Sequence, residues 1–517
     1  MYDVVVIGAG LGGLACAVRL QAAGLSVALV EARAAPGGRA GVLECDGFRF
    51  DTGPTLITAP QLLRELWESA GASFDDELTL IPLQPYYRIV FADGRWFDYW
   101  GDTDRDEAEI ARFSPSDVSG YRAFLQATER IYRRAFEDLA GQPFDRLGDF
   151  LRVVPELLRV RAHESVYRFV SRYFRHPQLR MVFSFHPLFI GGNPLRASAV
   201  YTIVPFLERK DGVFFARGGM GRVVSALAGL FRRLGGSLHN EVPVRRIMVS
   251  GGRACGVLLD NGETVPAKAV VSNADVTTTY LRLLPPESGS RWLRWRLRHA
   301  AYSMSCHLLY LGVRRQFELL RHHTIFMPHD YHTHLDELFN GGGPLSELAH
   351  YLHVPSRTDT SFAPPGADSV YVLTPVPHLG LSAAWSPDER ERFRMRVLTT
   401  LSHLRGLAGI ETDATVFEEW TPEEFAVRLG SYLGAAFSLE PVLSQSAYFR
   451  PHNRTEVPGL YLVGAGTHPG AGIPGVLLSA RITSRLVLTE IKRARSTMRP
   501  VEGLRDERTK VTGRMSP

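Results

Sequence analysis

The chain is 517 residues long, 45% apolar and 22% charged, with 48 glycines and 32 prolines. That balance excludes a disordered or fibrous chain, and the length calls for two domains or one domain with large insertions. A net charge of +5, carried almost wholly by arginine, is only weak evidence for an anionic partner.

The first element is the β-branched run DVVVI at residues 3–7, of the kind a buried parallel strand needs. GAGLGG follows at once and puts Gly8, Gly10 and Gly13 on the G-x-G-x-x-G frame, with Gly12 inside it. An amphipathic helix, LACAVRLQAAG, comes next and is closed by Gly24; a second strand, SVALVE, ends on Glu31. The order has a physical reason. Gly8 allows the tight turn, Gly10 lets the backbone approach a pyrophosphate, and Gly13 lets helix and strand pack closely, while the helix N-terminus faces the phosphate charge. Glu31, with Ala32 and Arg33 beside it, is placed to accept from the adenosine ribose hydroxyls. Strand, helix, second strand and terminal acid in register argue for dinucleotide binding.

PGGRAG at 36–41 is a second glycine-rich turn directly after Glu31. An NAD enzyme has no need of it. The longer dinucleotide FAD needs further backbone approach and a cation near its phosphates, which Gly37, Gly38 and Arg39 supply. DTGPTLI at 51–57 adds a third turn around Gly53, Pro54 and Thr55.

Residues 86–100 read as a hairpin around Asp93 and Gly94, and residues 115–200 as mostly helical and rich in aromatics. A loop and amphipathic helix follow at 217–236, then a β-meander to residue 274 with a GG turn and a DNG turn; Val244 in it is expected near the adenine end. Further strands are expected at 301–313 and 368–376. At 459–488 a strand, a glycine-rich turn and a helix starting near Pro474 or Gly475 point positive amides at the turn. A reduced flavin carries negative charge near N1 and C2=O, so Gly466, Gly472, Ile473, Pro474, Gly475 and Val476 suit that pole of the ring. Two basic patches interleaved with apolar residues, 151–180 and 290–300, have the character of helices lying on an anionic bilayer, or of solvated salt-bridged faces. No motif for nucleic acid accompanies them.

Cys16, Cys45, Cys255 and Cys306 lie far apart without CxxC or Cys/His pairing, which argues against a zinc site or a disulfide scaffold and suits the cytoplasmic side of a membrane. No stretch has the character of a transmembrane helix, so membrane contact is expected to be peripheral. The expected architecture is α/β: a discontinuous Rossmann-like FAD-binding domain from residues 1–80, 210–280 and 445–492, an inserted α+β substrate domain from 81–209 and 281–444, and a disordered basic tail at 493–517.

Several central stretches go beyond a generic flavoprotein: SFHPLFIGGNP (184–194), YTIVPFLERKDGVFFARGGMG (201–221), YLHVPSRTDTSFAPPG (351–366), TPVPHLG (374–380) and FSLEPVLSQSAYFRPHNRTEVPGLYLVGAGTHPGAGIPGV (437–476). With the N-terminal fingerprint, they make the chain resemble the bacterial-type phytoene desaturase family from residue 1 to about 490. The resemblance implies a fold similar to the FAD-containing amine oxidases, non-covalent FAD, no bound metal, a C40 carotenoid drawn from the membrane, and stepwise insertion of double bonds. It implies membrane quinone or oxygen as electron sink, a peripheral place on the cytoplasmic face of the cell membrane, and an acid–base pair at Asp149 and Arg152. At i,i+3 on a helix those two side chains can pair. Met220 and Arg222 depart from the smaller residues the family more often shows, which bears on substrate identity. Sister carotenoid isomerases, hydroxycarotenoid desaturases, diapophytoene desaturases and carotenoid ketolases or oxygenases share much of the pattern. A flavin amine oxidase, or a lipid carrier similar to the prenyl-binding GDP-dissociation inhibitors, are the readings from other classes. The intact GTHPGAGIPG turn argues for retained redox chemistry. His468 within it is read as a spacing residue rather than a base.

Overall fold

A computed structural model describes residues 1–139, 141–144, 147–404 and 406–497. Its first sheet is built around the N-terminal strand Tyr2–Ile7, which pairs in parallel with Val27–Val30 on one side and Thr264–Ser272 on the other. Ser237–His239 and Leu460–Leu462 extend the parallel ladder at its two edges. The central strands Tyr2–Ile7 and Val27–Val30 are short, rich in valine and buried on both faces, as a parallel sheet covered on both sides requires. The helices Leu11–Ala22, Gly219–Arg233 and Ile473–Thr497 cover one face, and the strands Val244–Ser250 and Arg253–Leu259 with Val276, Tyr280 and Tyr302 cover the other. The meander Val244–Ser250, Arg253–Leu259 and Thr264–Ser272 turns at the GG and DNG sequences and pairs antiparallel. The strands of one sheet thus come from widely separated parts of the chain.

The second sheet has seven strands in the order Ala414–Trp420, Ser305–Val313, Asp368–Val376, His350–His353, His323–Phe326, Tyr87–Val90 and Trp96–Tyr99. All neighbours are antiparallel except His323–Phe326 beside Tyr87–Val90. Helices between residues 103 and 211 pack over it through a core dense in Phe and Tyr. The expected hairpin and the strands near 301–313 and 368–376 are all present.

Among the described residues, no helix is long and apolar enough to cross a membrane. The last helix runs to Thr497, past the boundary expected at residue 492, because TEIKRARST continues good helix formers without glycine or proline. The rest of the expected tail lies outside the described residues.

Candidate cofactor and substrate site

The glycine-rich turns meet at one place. The N–H of Gly37 donates to the carbonyl of Ala9 at 2.8 Å, joining the second turn to the first. Glu31 is buried, and its carboxylate accepts from the N–H groups of Ala9 (2.7 Å) and Arg33 (3.0 Å). The acid thus locks the geometry of both flanking turns while keeping lone pairs for a ribose. Asn273, at the end of the meander, donates its amide to Gly8 O at 3.3 Å. A methyl group cannot be added here: a Cβ on Gly10 would stand 2.9 Å from Asn273 Nδ2, on Gly12 2.6 Å from Asn273 Oδ1, and on Gly13 2.0 Å from Gly8 O.

The third turn is pressed on the second, since a Cβ on Gly53 would lie 2.0 Å from the carbonyl of Arg39. Asp51, before it, accepts from the N–H groups of Met220 (3.0 Å) and Gly221 (3.2 Å) and so ties this turn to the start of the helix Gly219–Arg233. Burial pushes its carboxyl up to about 6, against the lowering effect of those two N–H groups. Arg39 reaches Ser431 Oγ at 2.9 Å, and its Nε has no hydrogen-bond partner. Burial draws its guanidinium below the ordinary value, opposed by Asp275, so a pyrophosphate beside it would relieve a real electrostatic cost.

These features belong to one continuous cavity of about 780 Å³. Of the residues expected to bind cofactor, Gly8, Gly10, Gly12, Glu31, Ala32, Arg33, Gly37, Gly38, Arg39, Gly53, Pro54, Thr55, Val244, Gly472, Ile473, Pro474, Gly475 and Val476 line it. Gly13 stands behind the wall, where helix and strand touch, and Gly466 packs against Val276 and Ser438. The glycine cradle, the orphaned Arg39 nitrogen and the helix N-terminus at Ile473 fit an extended dinucleotide along its whole length.

Sequence reasoning passed over Asp275 and Arg450. Asp275 accepts from the N–H groups of Thr277 and Thr278 and from Ser438 Oγ while lining the cavity. Arg450 is 1% exposed, lines the cavity and donates to the carbonyls of Gln445, Leu439 and Ala465, which holds the last turn. The signal for each was slight: an acid three residues past the end of a strand, and one arginine among the polar residues of SQSAYFRPHNRTE. His468 is buried and held neutral, lowered to about 3 mainly by burial, so it is no base at neutral pH.

Beyond the cradle the cavity continues along one face of the second sheet. Cys306 and Leu308, and Tyr371, Leu373 and Pro375, line it at the period of two that a strand imposes. Phe185, Leu188, Phe189 and Leu207 close it from the helical side, and Phe150, Val153 and Leu157 of the helix Leu147–Arg159 face it at another edge. Leu147, Leu151 and Leu158 of that helix are more than half exposed. The helix therefore shows an apolar face to the cavity and, beside the exposed Arg152 and Arg159, leucines to the outside.

The pair expected to do acid–base work falls on this helix. Arg152 is exposed and is not among the residues lining the cavity; the side chain of Asp149 lies outside what the structure describes. The basic patches are only partly free charge. Arg161 and Arg172 pair with Glu164, and Arg294 is turned inward onto the carbonyls of Tyr280, Leu284, Pro285 and Ser288. Trp292 and Trp295 on the same short helix, Arg291–Arg298, are 64% and 57% exposed.

A parallel sheet with three glycine-rich turns at one end, opening into a carbon-walled cavity on a second sheet, defines a flavoprotein oxidoreductase of the amine-oxidase type. Residues 11–488 match the profile of the flavin containing amine oxidoreductase family. A lycopene-forming phytoene desaturase from Pantoea ananas is 42% identical over 492 residues, covering 95% of this chain and all of that one. A neurosporene-forming phytoene desaturase from Rhodobacter capsulatus is 42% identical over 496 residues and 94% of each chain. Among solved structures, a putrescine oxidase variant (TM-score 0.62, 16% identity, 95% of this chain and 99% of that one) and the cyclohexylamine oxidase from Brevibacterium oxydans IH-35A (TM-score 0.58, 18% identity, 95% and 100%) share the fold. The chain belongs to the flavin containing amine oxidoreductase family and, within it, to the bacterial-type phytoene desaturases. Its cofactor is FAD.

Proposed function

We propose that the chain carries out FAD-dependent desaturation of phytoene or a closely related carotenoid, giving neurosporene- or lycopene-type polyenes. The observation that carries this is the continuity of the dinucleotide cradle with a cavity walled by aromatic and aliphatic side chains, and the phytoene desaturase activity of the relatives from Pantoea ananas and Rhodobacter capsulatus supports it. FAD supplies the two-electron oxidation by accepting a hydride. The protein must bind the polyene, hold adjacent carbons beside the cofactor, exclude water and take up a proton. Cys306, Leu308 and Leu373 from the sheet and Phe185, Leu188 and Phe189 from the opposite side hold a hydrocarbon by contact alone, at about 25 cal/mol per Å² of buried apolar surface.

A C40 hydrocarbon is insoluble in water, so the same reading places the chain peripherally on the cytoplasmic face of the membrane. The exposed Leu147, Leu151 and Leu158 beside the cavity, and the exposed Trp292 and Trp295 with their arginines, support that placement. Membrane quinone or oxygen takes the electrons in this reading. Asp149 and Arg152, the acid–base pair implied by the resemblance, belong to it as residues of the helix where polyene enters. Unchanged turnover of Asp149→Asn with full flavin would remove that role. The test of the function is analysis of polyenes from cells that accumulate phytoene and express this chain.

A further inference from the structure

Four arginines line the cavity: Arg33, Arg39, Arg428 and Arg450. Three have an acid at hand. Arg33 donates its backbone N–H to Glu31, Asp275 acts on Arg39, and Arg428 pairs with Glu418. Arg450 is the most enclosed of the four, and among the described residues no carboxylate pairs with it. Its Nη2 donates to the carbonyls of Ala465 (2.6 Å) and Leu439 (3.4 Å), its Nη1 reaches that of Gln445 (3.5 Å), and its Nε–H has no acceptor. The carboxylates that line the cavity are engaged elsewhere: Glu31 and Asp275 with backbone N–H groups, and Glu208 with the phenol of Tyr87. A buried charge met only by carbonyl dipoles is costly, and such groups persist chiefly where the charge is used.

The guanidinium lies against the last cofactor turn. A Cβ added to Gly470 would stand 3.6 Å from its Cζ and Nε, and a Cβ on Gly475 would stand 2.6 Å from the carbonyl of Gly470. Arginine, Gly470 and the first turn of the helix Ile473–Thr497 are thus packed in succession, and all three line the cavity. The positive end of that helix and the unpaired guanidinium add at one pole of the site. His468, which burial keeps neutral, is pushed further in that direction by the same charge.

We propose that Arg450 tunes the flavin as a hydride acceptor: its charge stabilises the negative charge that the ring gains on reduction. This rests on FAD as the cofactor and goes beyond the choice of substrate. A hydride carries two electrons and one proton, so the ring that accepts it gains one unit of negative charge. Across protein rather than water, the attraction between that charge and the guanidinium is weakly screened, and it needs no direct contact. Arg450 is a positioning residue in this role, with the carbonyls of Ala465, Leu439 and Gln445 fixing where its charge sits.

The experiment is sulfite titration of the FAD-loaded protein, paired with measurement of the flavin midpoint potential, both without carotenoid. Sulfite adds to flavin N5 and leaves negative charge on the ring, so its affinity reads the field directly. Arg450→Lys keeps the charge and gives up the fork of hydrogen bonds; Arg450→Gln keeps a donor and gives up the charge. The result expected is sulfite binding weakened about tenfold or more in Arg450→Gln, with a midpoint potential lower by about 30 mV for each tenfold, and Arg450→Lys close to wild type. Equal behaviour of the two variants, whether both shifted or both unshifted, overturns the proposal and leaves Arg450 as a brace for the turn. If Arg450→Gln does not hold flavin, the absorbance of the photoreduced wild type decides, with the anionic form expected from about pH 5 to about 9. Protonation at the pH where free reduced flavin takes up its proton overturns the proposal instead. Neither readout uses carotenoid, so a failed phytoene assay overturns the desaturase reading alone.

Discussion

The hydroxyls of Thr55 and Tyr351 lie 2.5 Å apart although 296 positions separate them in the chain. Thr55 belongs to the third cofactor turn and Tyr351 to the second sheet, so one hydrogen bond ties the two halves of the site. The phenol also meets Nδ1 of His323 at 2.7 Å. His323, His322 and His353 form a buried cluster of imidazoles kept neutral by burial, with His353 Nε2 and His322 Nε2 3.1 Å apart. Tyr351→Phe leaves Thr55 and His323 each short of a partner. It is expected to lower stability by about 1–3 kcal/mol in denaturant titration, and an unchanged midpoint would show that the bond contributes nothing.

Gly13 tests the cradle. Alanine there drives its Cβ into the carbonyl of Gly8, which can yield only by moving the first turn. Gly13→Ala is therefore expected to purify with little or no flavin, read as flavin absorbance per protein. Gly24→Ala, at a turn where a Cβ meets nothing within 4 Å, keeps its flavin and loses about 1 kcal/mol through the strained positive φ.

Asp51 predicts a pH dependence. Its carboxyl is raised from 3.8 to about 6 in the folded protein, so the folded state holds this proton more tightly than the unfolded one. Its contribution is fully present below about pH 4 and is lost as pH rises through about 6. The gap corresponds to about 3 kcal/mol. Over that window wild type is expected to lose stability relative to Asp51→Asn, by denaturant unfolding of both at a series of pH values. Parallel curves would contradict the shift.

The membrane placement is tested on Trp292 and Trp295. Exchanging both for alanine removes exposed indoles from a short helix without touching the inward Arg294. Sedimentation with anionic vesicles is expected to weaken about tenfold or more while flavin content stays level. Equal binding would move the contact to the exposed leucines of the helix Leu147–Arg159.

Much of the site was readable in the chain because it is built from local geometry. The turns at Gly8, Gly37 and Gly53 and the helix start at Ile473 each need glycine or proline at set spacings, and all reach the cavity. The strands Ser305–Val313 and Asp368–Val376 were legible as long apolar runs. What escaped depends on contacts between distant segments. Glu208 reads as an ordinary helix acid until Tyr87 and His186 are brought to it, and Arg294 reads as one more surface charge until its helix docks. Gly466 shares the glycine-rich turn yet serves packing, because which side of a turn faces the cavity is decided by its neighbours, here Val276 and Ser438.

Desaturation by this chain is read out by expressing it in cells that make colourless phytoene, then extracting and identifying the polyenes. Coloured products of longer conjugation, neurosporene or lycopene in type, are expected, and their chromophore length gives the number of double bonds inserted. Unchanged phytoene in cells holding abundant, FAD-loaded protein would contradict it.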